Sequence, residues 1–243
     1  MHTAHPLVTK LGREIALTDA ERLSFNEVPF YVETLKAGEG PSWAGDRPIR
    51  SFLVLEGLLS TSKTLRDGEV QTTAFHIPGD MPDLQSLHLE VLDSDIGALT
   101  NCTLAYMAHS DLRPFCERHP RLAAEFWRAA LVEGAISREW VVNVGQRPAL
   151  SRLAHLFCEL MMRMEAVGLA QNGSCPLALT QEALSEATGL SVVHVNRTLQ
   201  ALRAQRLLSF GQGRLTIHDW PALARLAGFE ADYLHMRTAA PIL

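Results

Sequence analysis

The periodicity of hydrophobic positions changes once along the chain, close to Ser110. Before that residue, short apolar runs are separated by glycines and other turn residues, which is typical of a small β-barrel or β-sandwich. After it, apolar residues recur three and four positions apart, which predicts helices. A hairpin turn is expected at Asp67-Gly68, because this pair readily adopts positive φ values. The predicted strands are Phe30–Leu35, Ile49–Leu55, Gly57–Leu65, Gln71–Ile77 and Cys102–Ala108, preceded by a short helix over Leu17–Val28.

One predicted helix, Pro120–Val144, is longer than a small barrel is expected to cover. It has no internal proline and is apolar over much of its surface. One interpretation is self-association of two chains along this helix, through Phe126, Ala130, Ile136 and Trp140. The other is a helix that packs on the barrel of its own chain. The pattern favours neither.

The segment from Thr180 to Arg203 has the features of a helix-turn-helix. Thr180 is suited to cap the first helix, because its hydroxyl oxygen can accept a hydrogen bond from a free backbone N–H. Gly189 can adopt the left-handed conformation that a tight turn requires, and Ser191 can cap the second helix. In that second helix the residues expected to be buried are Val195, Leu199 and Leu202.

The opposite side of the second helix is expected to read DNA, since the major groove admits one α-helix. There Arg197 can donate two hydrogen bonds to guanine, and Asn196 can pair with adenine. Val192 and Val193 are unusual on a solvated helix, and contact with thymine methyl groups would explain them. The alternative is that these valines pack against another domain and the polar residues are merely solvated.

A predicted β-hairpin directly after the second helix would complete a winged helix-turn-helix. Its strands, Leu207–Phe210 and Arg214–His218, are joined by Gly211-Gln212-Gly213. Gln212 and Arg214 at its tip are placed to contact phosphates. The full set of expected DNA-binding residues is Ser191, Val192, Val193, His194, Asn196, Arg197, Gln200, Arg203, Gln212 and Arg214.

The 243-residue chain has a formal charge of −5, which taken alone disfavours a polyanionic partner. The balance changes sign when the chain is divided at Gly145, where Gly145-Gln146-Arg147-Pro148 breaks the long helix. Residues 145–243 hold nine arginines and seven acids, a net charge of +2, and residues 1–144 have a net charge of −7. The basic half is therefore the half that contains the helix-turn-helix.

Other classes of protein find no support in the sequence. The four cysteines are far apart, so neither a zinc ribbon nor a disulfide framework is indicated. The apolar runs are too short to cross a membrane and no secretory signal is visible, so a cytoplasmic location is expected. No serine–histidine–aspartate set and no glycine-rich phosphate loop is evident. We therefore expect no enzyme, no metal site and no bound cofactor.

The chain resembles the CRP/FNR superfamily of bacterial transcription regulators over nearly its whole length. The most specific match is ATGLSVVHVNRTLQALRAQRLL, and PGDMPDLQSL, RLAHLFCEL and HDWPALARLAGFEADYLH match as well. The resemblance implies an α+β fold: an N-terminal β-roll or jelly-roll sensor domain, a long dimerisation helix and a C-terminal winged helix-turn-helix. It also implies a homodimer that binds a palindromic operator in double-stranded DNA and contacts RNA polymerase.

The chain departs from the family pattern where cyclic AMP would bind. Members that bind it hold the ribose with a Gly-Glu pair, which here is Asp83-Leu84. They hold the phosphate with an Arg-Ser pair, which here falls within Leu92-Asp93-Ser94, with Asp95 beside it. Acidic side chains repel a phosphate, so we expect no response to cyclic AMP and leave the effector unidentified. The effector pocket would comprise Asp83, Leu84, Leu92, Asp93 and Ser94. The cysteine cluster that iron–sulfur members carry near the N-terminus is absent too.

In the recognition helix, Arg197 coincides with a base-reading arginine of the family. The Arg-Glu pair of several members is Val192-Val193 here, so a different operator sequence is expected. The sequence thus predicts a dimeric transcription regulator with a sensor domain (1–118), a dimerisation helix and hinge (119–146) and a DNA-binding domain (147–243). The alternative is a β-barrel module for a small molecule or a metal, whose C-terminal domain mediates protein contacts.

Overall fold

The computed structural model describes residues 5–237, which form two compact units. Within this range, the first unit comprises residues 5–61 and 76–133 with Arg237, and the second comprises residues 62–75 and 134–236. The division falls inside the long helix, and it assigns the tip of one β-hairpin to the second unit. In this respect it differs from the domain boundaries expected from the sequence.

The chain contains runs of helices and runs of strands, as in an α+β fold. Up to the end of the long helix they are α1 (Pro6–Glu14), α2 (Asp19–Ser24), β1 (Phe30–Leu35), β2 (Arg50–Glu56), β3 (Leu59–Thr64), β4 (Val70–His76), β5 (Asp95–Ala98), β6 (Cys102–Ala108), α3 (His109–Arg118) and α4 (Pro120–Gln146). They continue with α5 (Ala149–Ala166), β7 (Ser174–Pro176), α6 (Gln181–Thr188), α7 (Val192–Ala204), β8 (Leu208–Gly211), β9 (Arg214–Ile217) and α8 (Trp220–Ala227). Short 3₁₀ helices cover Phe25–Glu27, Leu84–Leu87 and Ala231–Leu234.

The β-roll predicted from the sequence is confirmed. Its strands form two three-stranded sheets, with the orders β1-β6-β2 and β4-β3-β5. Strand β6 pairs antiparallel with β1 and with β2, for example Phe30 with Met107 and Phe52 with Tyr106. Side chains from both sheets, including Phe52, Leu59 and Tyr106, meet in one buried cluster that fills the interior of the roll.

The first unit also contains two elements that the sequence pattern missed, α1 and β5. Helix α1 begins after His5, whose Nδ1 accepts a hydrogen bond from the Leu7 N–H over 3.2 Å. Leu7 and Leu11 of α1 are fully buried in a cluster with Phe115. The helix predicted over Leu17–Val28 is shorter than expected and consists of α2 followed by a 3₁₀ turn.

In the second unit, helix α5 contributes much of the core, because Leu153, Phe157 and Leu160 are fully buried. Its small sheet has the order β7-β9-β8. Among the described residues, no helix combines the length and the apolar character that a membrane span requires. The second unit thus consists mainly of helices with one small sheet, and the candidate site lies in it.

Candidate DNA-binding interface

The helix-turn-helix predicted from the sequence is present as α6, a tight turn and α7. The Thr180 hydroxyl oxygen accepts a hydrogen bond from the Ala183 N–H over 3.0 Å, and Ser191 accepts one from the His194 N–H over 3.3 Å. Gly189 in the turn has φ +62°, the left-handed conformation that other residues rarely adopt. The buried residues of the two helices include Ala183, Leu184, Ala187, Val195, Leu199 and Leu202.

The outer face of α7 carries exposed apolar and basic side chains next to one another. Val192 and Val193 are 43% and 68% exposed. Arg197 is exposed, and none of the residues at 5–237 forms a hydrogen bond or ion pair with its guanidinium group. Methyl groups beside a free guanidinium near the start of α7 suit the edges of bases in a major groove.

Two other polar residues of this face are engaged with neighbouring side chains. Asn196 Nδ2 donates a hydrogen bond to Gln181 Oε1 over 3.2 Å, and Gln200 Nε2 donates one to Asn196 Oδ1 over 2.8 Å. The four-residue spacing of Asn196 and Gln200 signals that they are neighbours on the helix. The sequence gives no such signal for Gln181, because its contact depends on how α6 crosses α7.

The β-hairpin after α7 forms the predicted wing. Strands β8 and β9 pair from Leu208 with Ile217 to Gly211 with Arg214. Gln212 and Gly213 form the turn with φ values of +51° and +73°, the geometry of a two-residue hairpin loop. Both predicted tip residues are exposed, and Arg214 Nη1 donates a hydrogen bond to Ser174 Oγ of β7 over 3.2 Å. Arg203, at the end of α7, donates a hydrogen bond to the Phe210 carbonyl over 3.1 Å.

Side chains from outside the helix-turn-helix hold the C-terminal end of α6. Arg152 of α5 donates hydrogen bonds to the Thr188 carbonyl over 2.6 Å and to the Arg147 carbonyl over 2.9 Å. Gln71 of β4 donates one to the Glu186 carbonyl over 2.7 Å. The last carbonyls of a helix lack partners within it, so these bonds fix the end of α6 from which the turn departs. Neither Arg152 nor Gln71 was predicted from the sequence.

Three of the four residues assigned to dimerisation from the sequence lie in the core of the chain. Phe126 belongs to the buried cluster of the first unit, and Ile136 and Trp140 are only 8% and 5% exposed. The Trp140 indole N–H points at both carboxylate oxygens of the buried Glu159, at 3.1 Å. Their assignment to a dimer face was therefore wrong, because α4 is apolar on more than one side. Ala130 is half-buried. The large exposed apolar residues of α4 are Trp127, Leu131, Val141 and Val142.

Of the five residues assigned to an effector pocket, one lines a cavity that the described part of the chain contains. A cavity of about 250 Å³ in the first unit is lined by the loop before β2, by Arg50, by Tyr106 and, of those five, by Asp83. Leu84, Leu92 and Ser94 are buried and Asp93 is exposed, and their place in an effector pocket stays a prediction.

Asp83 itself is an unusual group, because its carboxyl is 1% exposed. One carboxyl oxygen accepts a hydrogen bond from the Phe52 N–H over 3.1 Å. Burial raises the pKa of Asp83 to about 8, although this hydrogen bond acts in the opposite direction. The side chain is therefore mostly uncharged at neutral pH.

Models of two protein families match the chain. A model described as a cyclic nucleotide-binding domain matches residues 32–119, and one described as a Crp-like helix-turn-helix domain matches residues 151–226. The first range covers the β-roll and α3, and the second covers α5 to α8 almost completely. The two matches follow the order of the elements described above.

Individual relatives match along most of their length. The chain is 25% identical to the transcriptional activator protein FnrL of Cereibacter sphaeroides, over 89% of this chain and 88% of that protein. It is 28% identical to the nitrogen fixation regulation protein FixK of Bradyrhizobium diazoefficiens, over 72% and 73%. The solved structure of FixK2 from Bradyrhizobium japonicum has the same fold, with a TM-score of 0.75 and 22% identity, covering 84% of this chain and 100% of that one.

Proposed function

The chain belongs to the CRP/FNR superfamily of transcription regulators with a helix-turn-helix DNA-binding domain, and we propose that it binds a palindromic operator as a homodimer. The observation that carries this proposal is the exposed face of α7, where Val192, Val193 and Arg197 project from the helix. Ser191 caps this helix, and its opposite side is buried. The match of residues 151–226 to a Crp-like helix-turn-helix domain favours DNA over a protein as the partner of this face.

The side chains of α7 suit particular base edges. The guanidinium of Arg197 can donate two hydrogen bonds to O6 and N7 of guanine, and it has no competing partner among the described residues. Val192 and Val193 offer methyl groups to the C5-methyl of thymine. At the tip of the wing, Gln212 and Arg214 are placed to contact phosphates, which would set the register of α7 in the groove. His194, half-buried at the first turn of α7, stays a predicted contact.

The dimer contact is assigned to the exposed side of α4. Large apolar residues there would be costly to leave in water, and Trp127, Leu131 and Val141 are 66%, 56% and 72% exposed. Together with Gly134 and Arg138 they alternate at spacings of four and three residues, which is the repeat of a coiled-coil seam. A second copy of α4 packed on this stripe would cover it, and two α7 helices would then face successive major grooves.

The regulator is proposed to act without cyclic AMP, in the cytoplasm, and to contact RNA polymerase. The support for the first point lies in the first unit, where the bulkier Asp83 stands at the position of the ribose-binding glycine and a buried Leu84 at that of the glutamate. Neither Leu92 nor Asp93 can replace the arginine that holds the cyclic phosphate.

Selection of genomic fragments bound by the purified protein tests the proposal. Enriched sites should contain two inverted half-sites centred one helical turn apart, about 34 Å. Binding should fall steeply with rising salt as counterions are released, and added cyclic AMP should change neither sites nor affinity. Enrichment of no sequence would contradict operator recognition, an unrepeated half-site would contradict the dimer, and a requirement for cyclic AMP would contradict the assignment of Asp83 and Leu84.

A further inference from the structure

A chain of three side-chain amides connects α6 with the recognition helix α7. Gln181, the first residue of α6, accepts a hydrogen bond from Asn196 Nδ2 at 3.2 Å. Gln200, one turn beyond Asn196, donates a hydrogen bond to Asn196 Oδ1 at 2.8 Å. Both ends of the Asn196 amide therefore have a partner, and one of these partners lies outside the recognition helix.

The position of Gln181 is set by the start of α6. Thr180 caps this helix through the Ala183 N–H, which fixes the first turn and the direction in which Gln181 leaves it. Ala183 and Leu184 are buried at the next positions, so α6 cannot rotate without exposing them. Gln181 itself is exposed, and its bond to Asn196 lies at the solvent-facing side of the helix pair.

The two hydrogen bonds hold the amide of Asn196 in one plane between α6 and the next turn of α7. A side-chain amide has two N–H donors and a carbonyl oxygen with two lone pairs. Rotating the amide of Asn196 alone by half a turn would bring its oxygen against the oxygen of Gln181, and its N–H groups against those of Gln200, whereas rotating all three amides together restores both bonds. In either arrangement, one N–H and one lone pair of Asn196 stay available. That pair matches adenine, which offers an acceptor at N7 and a donor at N6 in the major groove.

We propose that Gln181 is a positioning residue for base selection: by holding the Asn196 amide in one place and one plane, it makes Asn196 select adenine. The inference rests on the proposed reading of DNA by α7. It assigns a determinant of operator sequence to α6, the helix that does not enter the groove, and it requires no contact of Gln181 with a base.

The test compares base preferences at every operator position for four proteins: wild type, Gln181→Ala, Asn196→Ala and the double variant. Asn196→Ala should lose the preference for adenine at one position of each half-site by about tenfold. Gln181→Ala should lose most of the same preference at that position and leave the others unchanged. The double variant should show no further loss, because both changes remove one coupled unit.

Two more variants separate positioning from a general effect on α6. Gln181→Glu keeps an oxygen that accepts from Asn196, so it should retain the adenine preference while its negative charge weakens binding to all sequences alike. Glu182→Gln changes the neighbouring exposed residue and should leave the preference unchanged. If position 181 served only the stability of α6, Gln181→Ala would weaken binding to all sequences alike and would not lose the preference at one position.

The inference is overturned if Gln181→Ala retains the adenine preference that Asn196→Ala loses, if it weakens all sequences equally, or if Asn196→Ala alters no base preference. A loss of preference in Gln181→Glu equal to that in Gln181→Ala would overturn it too. If the wild type shows no base preference at any position, the proposed function fails and this inference fails with it. If the wild type has a clear operator but a variant gives one of the contradicting results above, the role of Gln181 is rejected and the proposed function stands.

Discussion

Asp83 yields a prediction about stability that can be worked out from its surroundings. In the folded chain, burial raises the pKa of this carboxyl from 3.8 to about 8. The hydrogen bond from the Phe52 N–H and the charge of Arg50 oppose the shift, and the charge of Glu133 adds to it. Near pH 7 the folded state therefore holds a proton at Asp83 that the unfolded chain releases.

The sign of the pH dependence follows from this difference in proton binding. Because the folded pKa is the higher one, the stabilising contribution is complete below the unfolded pKa and is lost as the pH rises through about 8. Between the unfolded and the folded pKa, each pH unit lowers the free energy of unfolding by about 1.4 kcal/mol. The loss by pH 7 is therefore at most about 4 kcal/mol. An asparagine side chain cannot ionise. The free energy of unfolding of the Asp83→Asn variant should therefore increase steadily with pH relative to that of the wild type.

Urea denaturation followed by far-ultraviolet circular dichroism, repeated from about pH 5 to pH 8, measures this gain. The free energy of unfolding of Asp83→Asn minus that of the wild type should increase with pH. Asp67→Asn is the matched control, because Asp67 is exposed at a hairpin turn where asparagine fits equally well. A difference between Asp83→Asn and the wild type that stays constant over this range would refute the reasoning.

Two further predictions concern the turn of the helix-turn-helix and the long helix. Gly189→Ala should lower the free energy of unfolding by about 1–2 kcal/mol in urea denaturation, because φ is +62° there and the nearest atom to an added Cβ, Val144 Cγ1, is at an acceptable 3.5 Å. Gly97→Ala, with open space around it, should cost less, and equal losses would contradict the argument from backbone strain. Leu131→Glu should halve the mass measured by light scattering after size exclusion, since it places a charge in the proposed α4 seam. Leu89→Glu, at an exposed leucine off that helix, should not, and an unchanged mass for Leu131→Glu would reject the seam.

The parts of the fold that depend on local chemistry could be predicted from the sequence. The helix-turn-helix is predicted by Thr180, Gly189 and Ser191, because helix caps and left-handed turns form within a few residues of chain. The short apolar runs between glycines that predict the strands are equally local. The sequence does not predict strand β5, because this strand is only four residues long and contains Gly97, which weakens its strand pattern.

Features that depend on contacts between distant segments could not be predicted. Apolar residues occur on several sides of α4, so spacing alone does not distinguish Trp140, which meets Glu159, from Trp127, which is exposed. The bond between Gln181 and Asn196 requires the crossing of two helices. Asp83 departs from the family pattern in the sequence, but its burial depends on contacts with distant residues such as Phe52, whose N–H donates to its carboxyl group.

The central claim is that the exposed face of α7 reads a specific operator, and the affinity of Arg197→Ala for that operator tests it most directly. Relative to the wild type, the variant should lose at least about tenfold in affinity for the operator while keeping its affinity for unrelated DNA to within a small factor. Arg225→Ala removes the same charge from an exposed position on α8 and should lose little operator affinity. Operator affinity that is unchanged in Arg197→Ala, or reduced equally in both variants, would contradict the account.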